Sequence, residues 1–312
     1  MEAPRCLICH SESRWIHTIP VVDLVAQYRR QLKLEVAAEF GGRSEVRIAR
    51  CPCCDFVSFV PAITGTEGFY RGLQGRGWYY LADKPEFSTA RRHLRRNHRI
   101  LDVGCGSGAF AQGHPVENYL GLEYTAEAIA MAEARGLSVR RQGVEAYAAT
   151  KPEPHDMVCA FQVLEHVADQ RAFITACIDV CRPGGQIVFS TPNADSFANA
   201  ACNLVLNFPP HHTAWFSRRF WLALPQYFPL RLVEIVEEPL EPVHLSFYAD
   251  TLVRAALVDW LGLRPPAPID DSLGTRVLAR LTAGLGRILA RGLADERLRP
   301  KGQSITAIYE RG

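Results

Sequence analysis

The sequence predicts an α/β protein, a doubly wound parallel sheet with helices on both faces, preceded by a small cysteine-built module. Three observations carry that prediction. Past residue 99, short apolar runs alternate with helical stretches, the pattern of parallel strands joined by crossover helices. The first of those runs ends in a glycine-rich turn, Gly104-Cys105-Gly106-Ser107-Gly108. Before residue 60 stand two C-x2-C pairs, Cys6/Cys9 and Cys51/Cys54, with Cys53 inside the second. The 312 residues, 48% hydrophobic and 22% charged with a net charge of +2, suit an ordered chain long enough for one large domain and a small one. That composition is too apolar for general disorder. No stretch approaches the roughly 18 unbroken apolar residues of a membrane span. No apolar run follows a basic start, so no signal peptide is visible and a cytoplasmic protein is expected. A charge near zero does not describe a dedicated nucleic-acid binder.

Two C-x2-C pairs suit Zn2+, because two tight turns can each present two thiolates to one tetrahedral ion. Residues 1–60 therefore read as a zinc knuckle with Cys6, Cys9, Cys51 and Cys54 as ligands. Four thiolates leave no open coordination position, so the metal would be structural. Between the pairs, Leu24, Tyr28, Leu32 and Val36 recur every four residues, which predicts an amphipathic helix over residues 21–40. Residues 45–49 read as a strand. The remaining cysteines from Cys105 onward are expected as small buried hydrophobes. Residues 61–98 read as a connector. Its aromatics (Tyr70, Trp78, Tyr79, Tyr80) are expected to pack, and residues 87–98 form a helix whose Arg91, Arg92, Arg95 and Arg96 share a solvated face.

From residue 99 the elements follow in order. Residues 99–103 are a strand stopped by glycines and followed by a helical stretch. A second strand spans 118–124, and a helix spans 125–135 between Thr125 as N-cap and Gly136 just past its end. Strands at 137–141 and 155–162 precede a helix over 168–181, closed by Arg182-Pro183-Gly184-Gly185. A fifth strand spans 186–190. A helix at 216–228 and strands at 231–237 and 304–310 complete the count. Near the C-terminus Val277, Leu278, Leu281, Leu285, Ile288 and Leu289 fall on one helical face and Arg276, Arg280, Arg287 and Arg291 on another. Packing of that helix against the sheet is the main expectation, and contact with a membrane surface the lesser one.

The glycine turn carries the strongest chemical signal. Missing side chains let backbone amides come close to a ligand. Dinucleotide folds want G-x-G-x-x-G with a pyrophosphate at the helix start; here the third glycine falls one place early. Asp102, two residues before Gly104, would repel a pyrophosphate and attract an ammonium group. Glu123, nineteen residues after Gly104, is placed to accept both hydroxyls of a ribose. A ligand with one ribose, a positive end and no phosphate fits this set, and S-adenosylmethionine is such a ligand.

Across residues 99–312 the chain resembles class I S-adenosylmethionine-dependent methyltransferases. The matching motifs are residues 100–108, Gly121-Leu122-Glu123, residues 161–166 and Arg182-Pro183-Gly184-Gly185. The whole chain is similar to a bacterial subgroup with an N-terminal four-cysteine zinc module, found in polysaccharide, sugar and secondary-metabolite biosynthesis. Pro209-Pro210-His211-His212 and Trp215-Phe216-Ser217 match that subgroup's substrate-side segment. The resemblance implies a Rossmann-like, seven-stranded sheet with an antiparallel last strand. It also implies Gly104, Cys105, Gly106 and Gly108 beneath the methionine moiety, Glu123 on the ribose, and Phe161 with Gln162 toward the adenine. Many relatives carry Asp after the third strand, where this chain has Gln142-Gly143-Val144-Glu145, so adenine recognition passes to Gln142 or the Val144 backbone.

Methyl transfer from a sulfonium needs alignment and the removal of one proton. Histidine, with an ordinary pKa near ~6.5, is the natural base. His166 follows the fourth strand on the ligand side of an open sheet, and His211 and His212 lie on a loop that can close over the donor. Tyr124 and Trp215 are candidates for the pocket wall. The expected reaction is O- or C-methylation of a small polar metabolite such as a sugar or nucleotide-sugar. Two rival readings stay open: an RNA methyltransferase using the zinc module and basic helix, and a non-catalytic cofactor-binding interaction protein.

Overall fold

The computed structural model describes residues 3–74, 84–293, 295 and 300–312. Strand β1 (Arg14–Pro20) runs into helix α1 (Val21–Leu32), and β2 (Glu45–Arg50) and β3 (Val57–Val60) return beside β1 as an antiparallel sheet. The four-residue repeat buries Leu24, Tyr28 and Val36 as expected. The single helix over 21–40 does not form. Lys33 adopts a left-handed conformation (φ 52°), which ends α1, and a separate 3₁₀ turn covers Ala37–Phe40.

Helices α2 (Glu67–Gln74) and α3 (Pro85–Arg91) follow. Trp78, Tyr79 and Tyr80 lie outside the described residues. The expected basic helix over 87–98 stops at Arg91, so its arginines do not share a helical face. Arg91 donates to the carbonyls of Ala109 and Phe110 (3.3 and 3.2 Å), and Arg92 pairs with Glu234 on another element.

The main sheet opens with β4 (Ile100–Val103), β5 (Tyr119–Leu122), helix α4 (Ala126–Glu133) and β6 (Ser138–Arg140). Only a 3₁₀ turn, Ala109–Ala111, follows the glycines, because Gly113 and Pro115 break any longer helix. Gly136 takes the left-handed position (φ 78°) just past α4, as expected. Next come α5 (Val144–Ala149), β7 (His155–Phe161), α6 (Gln170–Asp179) and β8 (Cys181–Pro192). A short β9 (Ala214–Trp215) precedes α7 (Arg218–Ala223), β10 (Leu230–Pro239), α8 (Leu245–Trp260), α9 (Leu273–Ala290) and β11 (Lys301–Arg311).

The seven-stranded order is β10-β11-β8-β7-β4-β5-β6. β4 to β8 pair in parallel and β11 is antiparallel to both its neighbours, which matches the expected sheet. Strand order reverses at β4, and such switch points leave a crevice at the carboxyl ends of the strands. β9 does not join this sheet. It pairs with β3 (Val57↔Trp215, Ser58↔Ala214), making it the fourth strand of the N-terminal sheet. The cores are continuous too: Cys6, Ile8, Cys51, Cys54 and Phe56 belong to the same apolar cluster as Leu101, Val158, Ile187 and Trp221.

The C-terminal helix departs from expectation. α8 and α9 form a hairpin between β10 and β11, and α9 packs along α8 rather than on the sheet. Its buried positions are the small residues Thr275, Thr282 and Gly286, the last against the Asp250 backbone of α8. That close approach turns the apolar stripe outward instead of inward.

Candidate active site

The glycine turn leaves β4 with Gly104, Gly106 and Gly108 all at positive φ (69°, 53° and 72°). A side chain at Gly104 would also strike Val163, its Cβ falling 2.4 Å from a methyl carbon. Four of the turn's five amides are bonded within the protein. Gly104 and Cys105 donate to the Leu122 carbonyl (2.8 and 3.1 Å), Gly106 to the Glu123 carboxylate (3.0 Å) and Gly108 to the Cys105 carbonyl (2.9 Å). This differs from the expectation of amides open to a ligand. Phosphate sites need free N–H groups, so a turn with most of its donors already engaged suits a phosphate-free ligand.

Glu123 is the hub of this arrangement. One carboxylate oxygen accepts from Gly106, the other from Tyr124 and Thr125 (2.8 and 2.9 Å). Its remaining lone pairs line a cavity of about 1010 Å³ together with Asp102, Gly104, Cys105, Gly106, Val144, Phe161 and Gln162. Gly108 stands behind the wall, where its Cβ would meet Leu137 at 2.2 Å. Asp102 is buried and accepts from the Tyr119 hydroxyl (2.8 Å); loss of solvent pushes it up to about 7. Tyr124, Gln142 and Trp215 also line the cavity. Phe161 packs between Phe87 and Phe110 (centroids 5.0 and 4.8 Å).

The opposite wall brings His166, His211 and His212 together, with ring centroids 4.5 to 5.0 Å apart. His166 Nδ1 lies 2.6 Å from the His211 carbonyl and His211 Nδ1 lies 2.9 Å from the Leu206 carbonyl. A carbonyl only accepts, so each ring carries its proton on Nδ1 and a lone pair on Nε2. Burial holds His166 down at about 4 and His211 at about 3, and pushes His212 well below the ordinary histidine value. All three are neutral. The loop that presents them is fixed by Thr213, whose amide bonds the Glu165 carbonyl (2.7 Å) and whose carbonyl accepts from Phe59 of β3 (3.0 Å).

A methyltransferase domain family model matches residues 66–235, more than half of the chain. The chain belongs to the S-adenosylmethionine-dependent methyltransferase family. Relatives of this methyltransferase include a ubiquinone biosynthesis O-methyltransferase of Cronobacter sakazakii, 36% identical over 106 residues, covering 31% of this chain and 44% of that protein. One of Dechloromonas aromatica is 30% identical over 175 residues, covering 50% of this chain and 75% of that protein. The chain spans about half the length of the first of these relatives. Among solved structures, a methyltransferase from Archaeoglobus fulgidus superposes with a TM-score of 0.45 at 19% identity, over 72% of this chain and 92% of that one. One from Mesorhizobium loti gives 0.45 at 17% identity, over 74% and 100%.

Two residues of the methyltransferase's cavity escaped the sequence reading. Glu165 is fully buried, is pushed up to about 8 by desolvation, and leaves Oε2 without a hydrogen bond. Its Oε1 is 3.7 Å from His166 Nε2. The only sequence signal was its place next to His166. Tyr70, expected to pack, instead lines the cavity with its hydroxyl 3.3 Å from His166 Nδ1.

Behind the histidine loop, Cys6, Cys9, Cys51 and Cys54 bring four sulfurs within 4.8 Å of one another, the pairs Cys6–Cys54 and Cys9–Cys51 at 3.5 and 3.4 Å. Tetrahedral Zn–S bonds of ~2.3 Å imply S···S edges near ~3.8 Å, so the set fits such an ion. Cys53 is exposed and lies outside the set; Cys105, Cys159, Cys177 and Cys181 are buried as expected, whereas Cys202 is only half-buried.

Proposed function

We propose that the protein transfers the methyl group of S-adenosylmethionine to an oxygen or carbon of a small polar metabolite such as a sugar or nucleotide-sugar. The observation that carries this reading is one cavity with two unlike walls. The glycine turn and Glu123 supply a phosphate-free nucleoside site, and three neutral imidazoles face the space left for an acceptor. Asp102 stands where the donor's ammonium group would meet it, and Val144, Phe161 and Gln162 complete the nucleoside side. As the sulfur–methyl bond breaks and the acceptor–methyl bond forms, the acceptor proton passes to the bare Nε2 of His166 or to His212. The products are the methylated acceptor and S-adenosylhomocysteine. The relatives' name supports oxygen as the acceptor atom. In this reading residues 1–60 are a structural zinc module held by Cys6, Cys9, Cys51 and Cys54, residues 61–98 a connector, and residues 99–312 the catalytic domain.

The test is methyl transfer from labelled donor to fractionated small metabolites and to a panel of sugars and nucleotide-sugars. Label in a small-molecule product supports the reading. Label confined to RNA or protein, or calorimetry in which neither S-adenosylmethionine nor S-adenosylhomocysteine binds, overturns it.

A further inference from the structure

Helix α9 is apolar where it should be covered and is not. Leu273, Val277, Leu281, Leu285 and Ile288 are each 45% to 69% exposed, and Leu289 is 54% exposed. At 100° per residue they sweep one continuous stripe whose centre lies roughly 120° from the Thr275, Thr282 and Gly286 face, with Leu289 at the edge nearest that face. The stripe's other edge is bordered by Arg276, Arg280, Arg287 and Arg291. No Asp or Glu occurs between Leu273 and Ala290, and none of the four arginines is in a direct ion pair among the described residues; only Arg276, at the start of the row, lies near enough to a carboxylate, Asp271, to lower it. At the far end of the hairpin, Trp260 is 80% exposed and Leu261 and Leu263 are exposed beside it. Among the described residues, no helix is long and apolar enough to cross a membrane.

An 18-residue helix is about 27 Å long. A stripe of that length edged only by arginine, with an indole at one end of its hairpin, matches a helix lying in the interface of an anionic bilayer. There the leucines enter the acyl boundary while the guanidinium groups remain at the phosphates. A second copy is a poorer occupant. An antiparallel two-fold contact through this stripe would set two arginine rows side by side. We propose that the α8–α9 hairpin docks the protein on the surface of a bilayer rich in anionic lipid, α9 lying flat with its leucine stripe inserted. The hairpin also touches the cavity wall: Phe247 and Tyr248 of α8 pack on Phe197 (5.1 Å each), next to the lining residues Ala198 and Asn199. Docking would therefore present the acceptor side of the cavity close to the lipid surface.

Flotation of the full chain with vesicles tests this, using phosphatidylcholine alone and phosphatidylcholine with about one-third phosphatidylglycerol. Binding to the anionic vesicles, weakened by salt, is expected. Removing charge through R276Q and R280Q should weaken it about fivefold per arginine, and L281E with L285E should abolish it. Both pairs are exposed, so S-adenosylhomocysteine binding by the variants should match the parent and exclude misfolding. No binding to anionic vesicles overturns the proposal, as does binding that both variant pairs retain. A concentration-dependent dimer in solution that L281E with L285E dissolves would also overturn it, by assigning the stripe to a second copy. These outcomes are independent of which acceptor is methylated.

Discussion

Glu123 holds three backbone amides with one carboxylate and still faces the cavity. Replacing it loosens the glycine turn and, on the proposed reading, removes the acceptor for the ribose hydroxyls. Glu123→Gln is expected to weaken S-adenosylhomocysteine binding by about tenfold or more, the scale of a lost charged hydrogen bond, which calorimetry would measure. Asp102 predicts a pH effect on the same equilibrium. Burial has raised it to about 7, and an ammonium group beside it would favour the ionised form. Donor binding should then tighten as pH rises through 7 and release a proton, visible as a dependence of binding heat on buffer ionisation. On the acceptor wall, His166→Ala with His212→Ala should cost about 10²- to 10⁴-fold in turnover while product binding survives. The acid limb of kcat/KM should sit well below pH 6.5, since burial holds His166 near 4. Glu123 and the histidines were legible in the sequence because spacing from the glycine turn and the strand ends places them. Glu165 and Tyr70 were not. Their importance comes from desolvation and from a contact between residues 70 and 166, neither of which a local pattern records.

Among elements, the turn after β4 is the one whose geometry the sequence specified most tightly. Gly104 needs both a positive φ and room beside Val163, so Gly104→Ala should reduce donor binding and stability together, by about 1 to 3 kcal/mol of strain. Thermal melts with and without S-adenosylhomocysteine would show it. Strand and helix order was readable from alternation, but helix ends were not. The segments over 21–40 and 87–98 have helical periodicity, yet Lys33 turns left-handed and Arg91 is drawn to the carbonyls of Ala109 and Phe110. A local left-handed cap bonded to Arg29 and Tyr28 ends the first, and tertiary partners take up Arg91 at the end of the second. The cysteine spacing was legible because ligand geometry is local to each C-x2-C turn. One equivalent of zinc per chain is expected by metal analysis, lost in Cys6→Ser with Cys54→Ser; a second equivalent lost with His211→Ala would place an ion in the cavity instead.

For the whole molecule, the buried groups pull stability against pH in opposite directions. The depressed histidines leave the unfolded chain binding more protons than the folded one between pH ~6.5 and about 4, so their contribution is lost as pH falls through that window. Asp102 and Glu165, raised to about 7 and 8, keep protons that the unfolded chain releases, so their contribution is lost as pH rises from ~4 toward 8. Maximum stability near pH 6.5 is the expected outcome of denaturant titrations across that range. The pairing of β9 with β3 carries a different consequence. The short strand after the two histidines has its hydrogen-bonding partner in the first sixty residues, not in the large sheet. A chain trimmed to the large sheet would keep the proposed nucleoside pocket and lose the scaffold of the facing wall. Such a fragment should still capture donor while turning over nothing, and the amino-terminal segment cannot be exchanged between homologues as a detachable tag.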